Sequence, residues 1–242
     1  VETVARWTAP DTALGAALPG LRARLAVMGA VVGLMVAAVL ELSARRGGTG
    51  HINPAVSFGL WLLRALPGRA VIPFAAAQLA GSLTGAALAR LLWGPAVSGA
   101  LRYAALSPAP GWNAAAVSAV EAASTAALML PVAAAVVRAG SAARFLPPVI
   151  GACVGAVIVL LGPLDGGGAN PARQFGPALL SGAGSPLWPY LLGPLTGAAL
   201  VTWPAGRRRA AAAGADVPDR HRGRGPRWRR SAAPPERGRH GG

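Results

Sequence analysis

The sequence predicts an all-α membrane protein, an inverted-repeat helical bundle with two re-entrant half-helices. Three observations carry that prediction. The first is apolarity delivered in blocks: 53% of the 242 residues are hydrophobic and only 13% are charged, with mean hydropathy +0.47. The charged share is about half that of a soluble domain. The second is the tripeptide Asn-Pro-Ala, at Asn53-Pro54-Ala55 and again at Asn170-Pro171-Ala172, each inside an apolar stretch. Asn caps free backbone N–H groups, and Pro fits the first helical turn because its missing N–H would be unpaired there anyway. Each tripeptide therefore starts a helix at membrane depth. The third is internal repetition. Gly50–Leu63 and Gly167–Leu180 share eight of fourteen residues, so the chain is two copies of one design.

The elements follow in chain order. Residues 1–24 contain Glu2, Arg6, Pro10, Asp11 and Pro19 and cannot supply a span of about 20 apolar residues. They are expected to form a non-spanning N-terminal segment, equivalent to an extracellular loop. Residues 25–203 form the bundle. Apolar runs at about 25–42, 70–92, 113–137, 147–163 and 186–203 give five spans, the last two only marginally long. Gly, Ala, Ser and Thr are dense in all of them, which lets helices approach closely in lipid. The repeat extends beyond the half-helices. Val27-x-Gly-Ala-x-Val-Gly33 reappears as Val149-x-Gly-Ala-x-Val-Gly155, and Gly81-Ser-Leu-Thr-Gly-Ala-Ala-Leu88 as Gly193-Pro-Leu-Thr-Gly-Ala-Ala-Leu200. Each unit is thus span, half-helix, span. The second unit has a span before it (113–137), and the first has none. A six-span design with inverted halves leads to the expectation that a further span precedes Val1, the alternative being a protein of five spans. With the halves inverted, the two half-helices meet tip to tip.

Arg45, Arg46, Arg64, Arg69, Arg138 and Arg144 lie at one set of span ends, which the positive-inside rule makes cytoplasmic. Residues 204–242 hold eleven arginines against three acids, +8 of the net +15. This composition predicts a disordered cytoplasmic tail beside anionic lipid headgroups rather than a nucleic-acid site.

Gly-His-Ile-Asn-Pro-Ala-Val-Ser (50–57) and Asn-Pro-Ala-Arg-Gln-Phe-Gly-Pro-Ala (170–178) resemble the two signature loops of the aquaporin and glycerol-facilitator (major intrinsic protein) family. The resemblance covers about residues 21–203. It implies an aquaporin-like bundle of six spans, of which five are recognisable here. It also implies a homotetramer with one pore per subunit and passive flow of water or small uncharged solutes across the lipid bilayer. The setting it suggests is a bacterial plasma membrane, with the tail cytoplasmic.

The resemblance also assigns residues. Asn53 and Asn170 would cap their half-helices through the side-chain oxygen and keep their NH₂ groups for a passing solute. Two helix N-termini aimed at one spot disfavour cations there. Arg173 would stand at the outer constriction with Gly167, Ile158 and either Val32 or Gly33. Glu121 would support the second loop, and His51 the first. A ring of Gly, Ile and Val or Gly is wider than the aromatic rings of water-selective or glycerol-selective members. That points to small hydroxylated solutes such as glycerol, urea or metalloid hydroxides.

No cofactor or metal is expected, and no enzyme activity. Cys153 is single, and Gly166-Gly167-Gly168 runs into Asn-Pro-Ala rather than Lys-Ser/Thr. Two rivals remain at this point: a secondary transporter, which also uses inverted repeats, and a non-functional channel fragment.

Overall fold

The computed structural model describes residues 2–18, 20–48, 50–138, 144–182 and 186–215. These residues form helices and connections, with no strand among them. The N-terminal segment folds as two short helices, α1 (Glu2–Trp7) and α2 (Ala13–Ala17), the latter capped by Thr12 Oγ1 accepting from Gly15 N. Neither approaches membrane length. Helix α3 (Leu21–Arg45) follows, then the half-helix α4 (Pro54–Leu62), α5 (Gly68–Trp93) and the short α6 (Pro95–Ala100). A 3₁₀ turn (Arg102–Ala104) leads into the second unit: α7 (Ala114–Arg138), α8 (Leu146–Leu161), the half-helix α9 (Pro171–Ser181) and α10 (Trp188–Ala215).

Three of these, α3, α5 and α7, are long and apolar enough to cross a membrane by length and composition. Helix α8 has 16 residues and falls short of that length. Helix α10 is long enough, but Pro194, Pro204 and three arginines dilute its apolar content.

The expected tail boundary at residue 204 is corrected by α10, which continues through Ala215. Arg207–Ala213 is built from Arg and Ala, both strong helix formers, and propagation of an existing helix needs no new nucleus. Residues 216–242, the rest of the expected disordered tail, lie outside the described residues.

Two close helix pairs organise the bundle. In the first, α3 packs on α8 through the repeated glycines. A Cβ on Gly33 would lie 2.5 Å from the Gly151 carbonyl oxygen, and one on Gly29 would lie 2.7 Å from that of Gly155. The reverse contacts, Gly151 on Gly33 and Gly155 on Gly29, are equally close. Small residues spaced by four let the two backbones touch, which in lipid replaces the missing hydrophobic drive. This reciprocity is what a two-fold relation between the repeats requires. In the second pair α10 packs on α7, with Gly193 against Ser118 and Gly197 against Ala122.

The half-helices then cross between the two units. Helix α4 lies along α10, with Gly59 near Thr202 and Gly206 against the Leu62 carbonyl; α9 lies along α5, with Gly176 against Ser82. Each half-helix is thus seated on the other unit's last long helix. Val32, Val36, Ala55, Leu128, Met129 and Ile158, among others, form a buried apolar cluster among these helices.

The candidate channel site

Both half-helices begin as their sequences dictate. Asn53 is extended (φ −145°, ψ 118°) and its Oδ1 accepts from Ala55 N at 2.9 Å. Asn170 (φ −158°, ψ 112°) repeats this, accepting from Ala172 N at 3.0 Å. Pro54 and Pro171 occupy the first helical position, and Pro54, Ala55, Pro171 and Ala172 are all buried.

The two N-termini meet. Asn53 Nδ2 donates to the Ala169 carbonyl at 2.7 Å, and Asn170 Nδ2 donates to the Ile52 carbonyl at 3.1 Å. The pairing is reciprocal: each asparagine reaches the residue before its counterpart. It corrects one expectation, that both NH₂ groups stay wholly free. One N–H of each amide is spent across the junction, and the second has no protein partner among the described residues.

The loops feeding these tips are held by different chemistry. In the second loop Glu121 of α7 accepts from Gly168 N (2.9 Å) through Oε1 and from Ala169 N (2.7 Å) through Oε2. Asp165 Oδ1 takes Gly167 N at 2.8 Å, and its carbonyl accepts from the Tyr190 hydroxyl at 2.8 Å. Three consecutive amides are thereby clamped by two fully buried carboxyl groups. The clamp holds Ala169 at φ 49°, a left-handed conformation uncommon for a residue with a Cβ.

In the first loop the partner is an amide rather than a carboxyl. Gln78 Nε2 of α5 donates to the His51 carbonyl at 2.8 Å and lies 3.1 Å from the Ser57 hydroxyl. His51 Nδ1 is 2.7 Å from the same hydroxyl, and its ring packs against Phe74 with centroids 4.3 Å apart and the planes tilted by 44°. His51 is therefore a packed, hydrogen-bonded strut. The sequence reading missed Gln78, although a lone amide in the 70–92 apolar run is itself a signal that something polar faces it. It also missed Ser82, whose hydroxyl donates to the Ala172 carbonyl and accepts from Gly176 N, tying α9 to α5.

Arg173 is half-buried and donates through Nη1 to the Ala104 carbonyl at 2.7 Å, so its guanidinium is fixed to the connection between α6 and α7. Gly167 (φ 68°) packs on the end of α8, where a Cβ would lie 3.1 Å from Ile158 Cα. Glycine is required there on both grounds. Ile158 and Val32 share the buried core. Gly33 is placed elsewhere: its open side faces Gly151 in the α3–α8 seam. Of the two first-span candidates, only Val32 has a side chain to offer. A cavity of about 280 Å³ beside Leu130, Arg138 and Val201, and one of about 40 Å³ beside Trp112 and Tyr190, lie away from both asparagines.

A multi-pass helical bundle built from an inverted repeat, with two half-helices capped by asparagine and joined tip to tip, defines the class. Comparison with known proteins identifies the family. Residues 11–204 match the family model described as major intrinsic protein, and the chain belongs to that family. It is 36% identical over 192 residues to a probable aquaporin, AqpM, of Archaeoglobus fulgidus, an alignment covering 77% of each chain. It is 38% identical over 154 residues to aquaporin TIP2-1 of Arabidopsis thaliana, covering 63% of this chain and 60% of that one. In fold it is similar to the aquaglyceroporin from Plasmodium falciparum, with TM-score 0.67 and 18% identity over 88% of this chain and 90% of that chain. The protein is thus a multi-pass membrane channel for water or small solutes.

Proposed function

We propose that the channel conducts water and small uncharged hydroxylated solutes through a pore lined by the tips of α4 and α9. The observation that carries this reading is the reciprocal junction, Asn53 to the Ala169 carbonyl and Asn170 to the Ile52 carbonyl. It brings two helix N-termini, each equivalent to about half a positive charge, to one place. It also leaves one N–H on each amide to donate to a solute oxygen. A neutral hydroxylated molecule gains hydrogen bonds there, whereas a cation meets two like-signed dipole ends.

Arg173, Gly167, Ile158 and Val32 form the outer constriction. Only Arg173 in this ring is polar, and Gly167 adds no side chain, so the ring admits molecules broader than water. Glycerol, urea and metalloid hydroxides fit that description. The arginine-rich ends of α3, α7 and α10 and the start of α5 share one end of the bundle, which we assign to the cytoplasm of the plasma membrane. The subunits assemble as a homotetramer with a pore in each.

The test is stopped-flow swelling of proteoliposomes with water, glycerol and urea. The expected result is water flux together with solute flux, weak temperature dependence and no saturation. Water flux with no solute flux rejects the wide constriction. Saturable, steeply temperature-dependent flux rejects the pore in favour of a carrier.

A further inference from the structure

We infer that Gln174, the residue after Arg173, is a positioning residue that sets the place of the Arg173 guanidinium and through it the solute selectivity of the channel. The inference rests on the proposed role of Arg173 in the outer constriction. Gln174 is 1% exposed. Its side-chain amide engages both backbone groups of one distant residue: Oε1 accepts from Leu106 N at 2.7 Å and Nε2 donates to the Leu106 carbonyl at 3.1 Å. A primary amide offers an acceptor and a donor side by side in this way without any change of charge.

Leu106 lies two residues beyond Ala104, whose carbonyl holds Arg173. The chain between α6 and Leu106 does not hold its own shape cheaply. Arg102 (φ 49°), Tyr103 (φ 54°) and Ala104 (φ 57°) are three successive non-glycine residues in the left-handed region, each of which disfavours that conformation. Such a segment persists only when its surroundings over-determine it. Gln174 supplies two bonds toward that end. The Leu106 side chain supplies a third anchor, packed where any Cβ on Gly166 or Gly168 would collide with it. Ala109 N, bonded to the Leu164 carbonyl at 2.8 Å, supplies a fourth. Adjacent residues of α9 thus grip one outer segment twice. Arg173 is held by Ala104, and Gln174 fixes where Ala104 stands.

The experiment compares glycerol-to-water permeability ratios in proteoliposomes holding the full chain. Gln174→Glu, assayed at alkaline pH where its carboxyl is ionised, keeps the shape and the acceptor for Leu106 N but removes the donor to the Leu106 carbonyl; Gln174→Ala removes both. The expected result is a change in the ratio of at least about three-fold for Gln174→Ala, in the direction given by Arg173→Ala. A smaller change is expected for Gln174→Glu. On the Arg173→Ala background, Gln174→Ala is expected to add no further change, a non-additivity that loss of packing alone would not produce. If Gln174→Ala does not yield folded protein, the Gln174→Glu ratio, alone and on the Arg173→Ala background, decides. An unchanged ratio in the folded Gln174 variants, with a changed one in Arg173→Ala, overturns the positioning role and leaves the constriction standing. An unchanged ratio in Arg173→Ala overturns both.

Discussion

At the scale of single residues, the two loops that converge on the asparagines are held to different tolerances. Glu121 uses both carboxylate oxygens on Gly168 N and Ala169 N, and the second amide belongs to a residue at φ 49°. Glu121→Gln leaves one acceptor where two N–H groups converge and turns an NH₂ toward the other. A buried N–H left unpaired costs about 1–3 kcal/mol. The expected outcome is a loss of that order in detergent stability, read by thermal unfolding, together with reduced water flux as Ala169 releases Asn53. The first loop has no carboxyl of this kind among the described residues and relies on Gln78. Gln78→Leu removes the donor to the His51 carbonyl (2.8 Å) and buries that carbonyl against an alkyl chain. Water flux is expected to fall in that variant too, and a Gln78→Leu protein with unchanged flux and stability would show that the Ser57 hydroxyl and Phe74 hold His51 without Gln78.

At the scale of elements, sequence and structure agree where a feature depends on neighbours in the chain. Hydropathy places α3, α5, α7, α8 and α10, because an apolar run is a local property. Asn-Pro places the starts of α4 and α9, because capping acts within three residues. The density of small residues predicts close helix contacts, and the repeated glycines make one in the α3–α8 seam, although the sequence does not pair those two helices. What the sequence does not yield are the ties between segments far apart: Gln174 to Leu106 across 68 residues, Ser82 to Ala172 across 90, and Arg209 to Leu63 across 146. The last of these has a consequence for the first half-helix. Arg209 Nη1 donates at 3.1 Å to the carbonyl of Leu63, the C-cap of α4. A cation at a helix C-terminus satisfies a free carbonyl and complements the dipole, an effect of about 0.3–1 kcal/mol at an exposed site. Arg209 falls in the stretch whose composition reads as tail, and only the continuation of α10 gives it this position. Truncation after Ala205 is therefore expected to lower thermal stability slightly, and Arg209→Ala to account for most of that loss. Truncation after Ala215 is expected to lose none of it.

At the scale of the whole molecule, the two units are related by sequence but not equally covered. Gly193 and Gly197 of α10 lie against α7, and a Cβ on Gly197 would overlap the Ala122 carbonyl. Their repeat equivalents on α5, Gly81 and Gly85, have nothing within 4 Å of a Cβ. Helix α5 is accordingly the least covered long helix of the bundle, with Ile72, Leu88, Leu91 and Leu92 exposed as well. The same substitution at equivalent positions should then have opposite outcomes in an isolated chain. Gly197→Leu forces α10 away from α7, disturbs the seat of α4 along α10 and is expected to abolish folded protein in detergent; even Gly197→Ala should cost about 1–3 kcal/mol by overpacking. Gly85→Leu meets open space, and its expected cost in the monomer is close to zero. The comparison becomes sharper in the membrane, where a tetramer or another helix can cover α5. If Gly85→Leu is neutral in detergent-solubilised monomer but lowers flux or the yield of oligomer in proteoliposomes, the small-residue face of α5 is covered in the working assembly. If it is neutral in both, lipid is what faces Gly81 and Gly85, and the two units share a fold without sharing their packing.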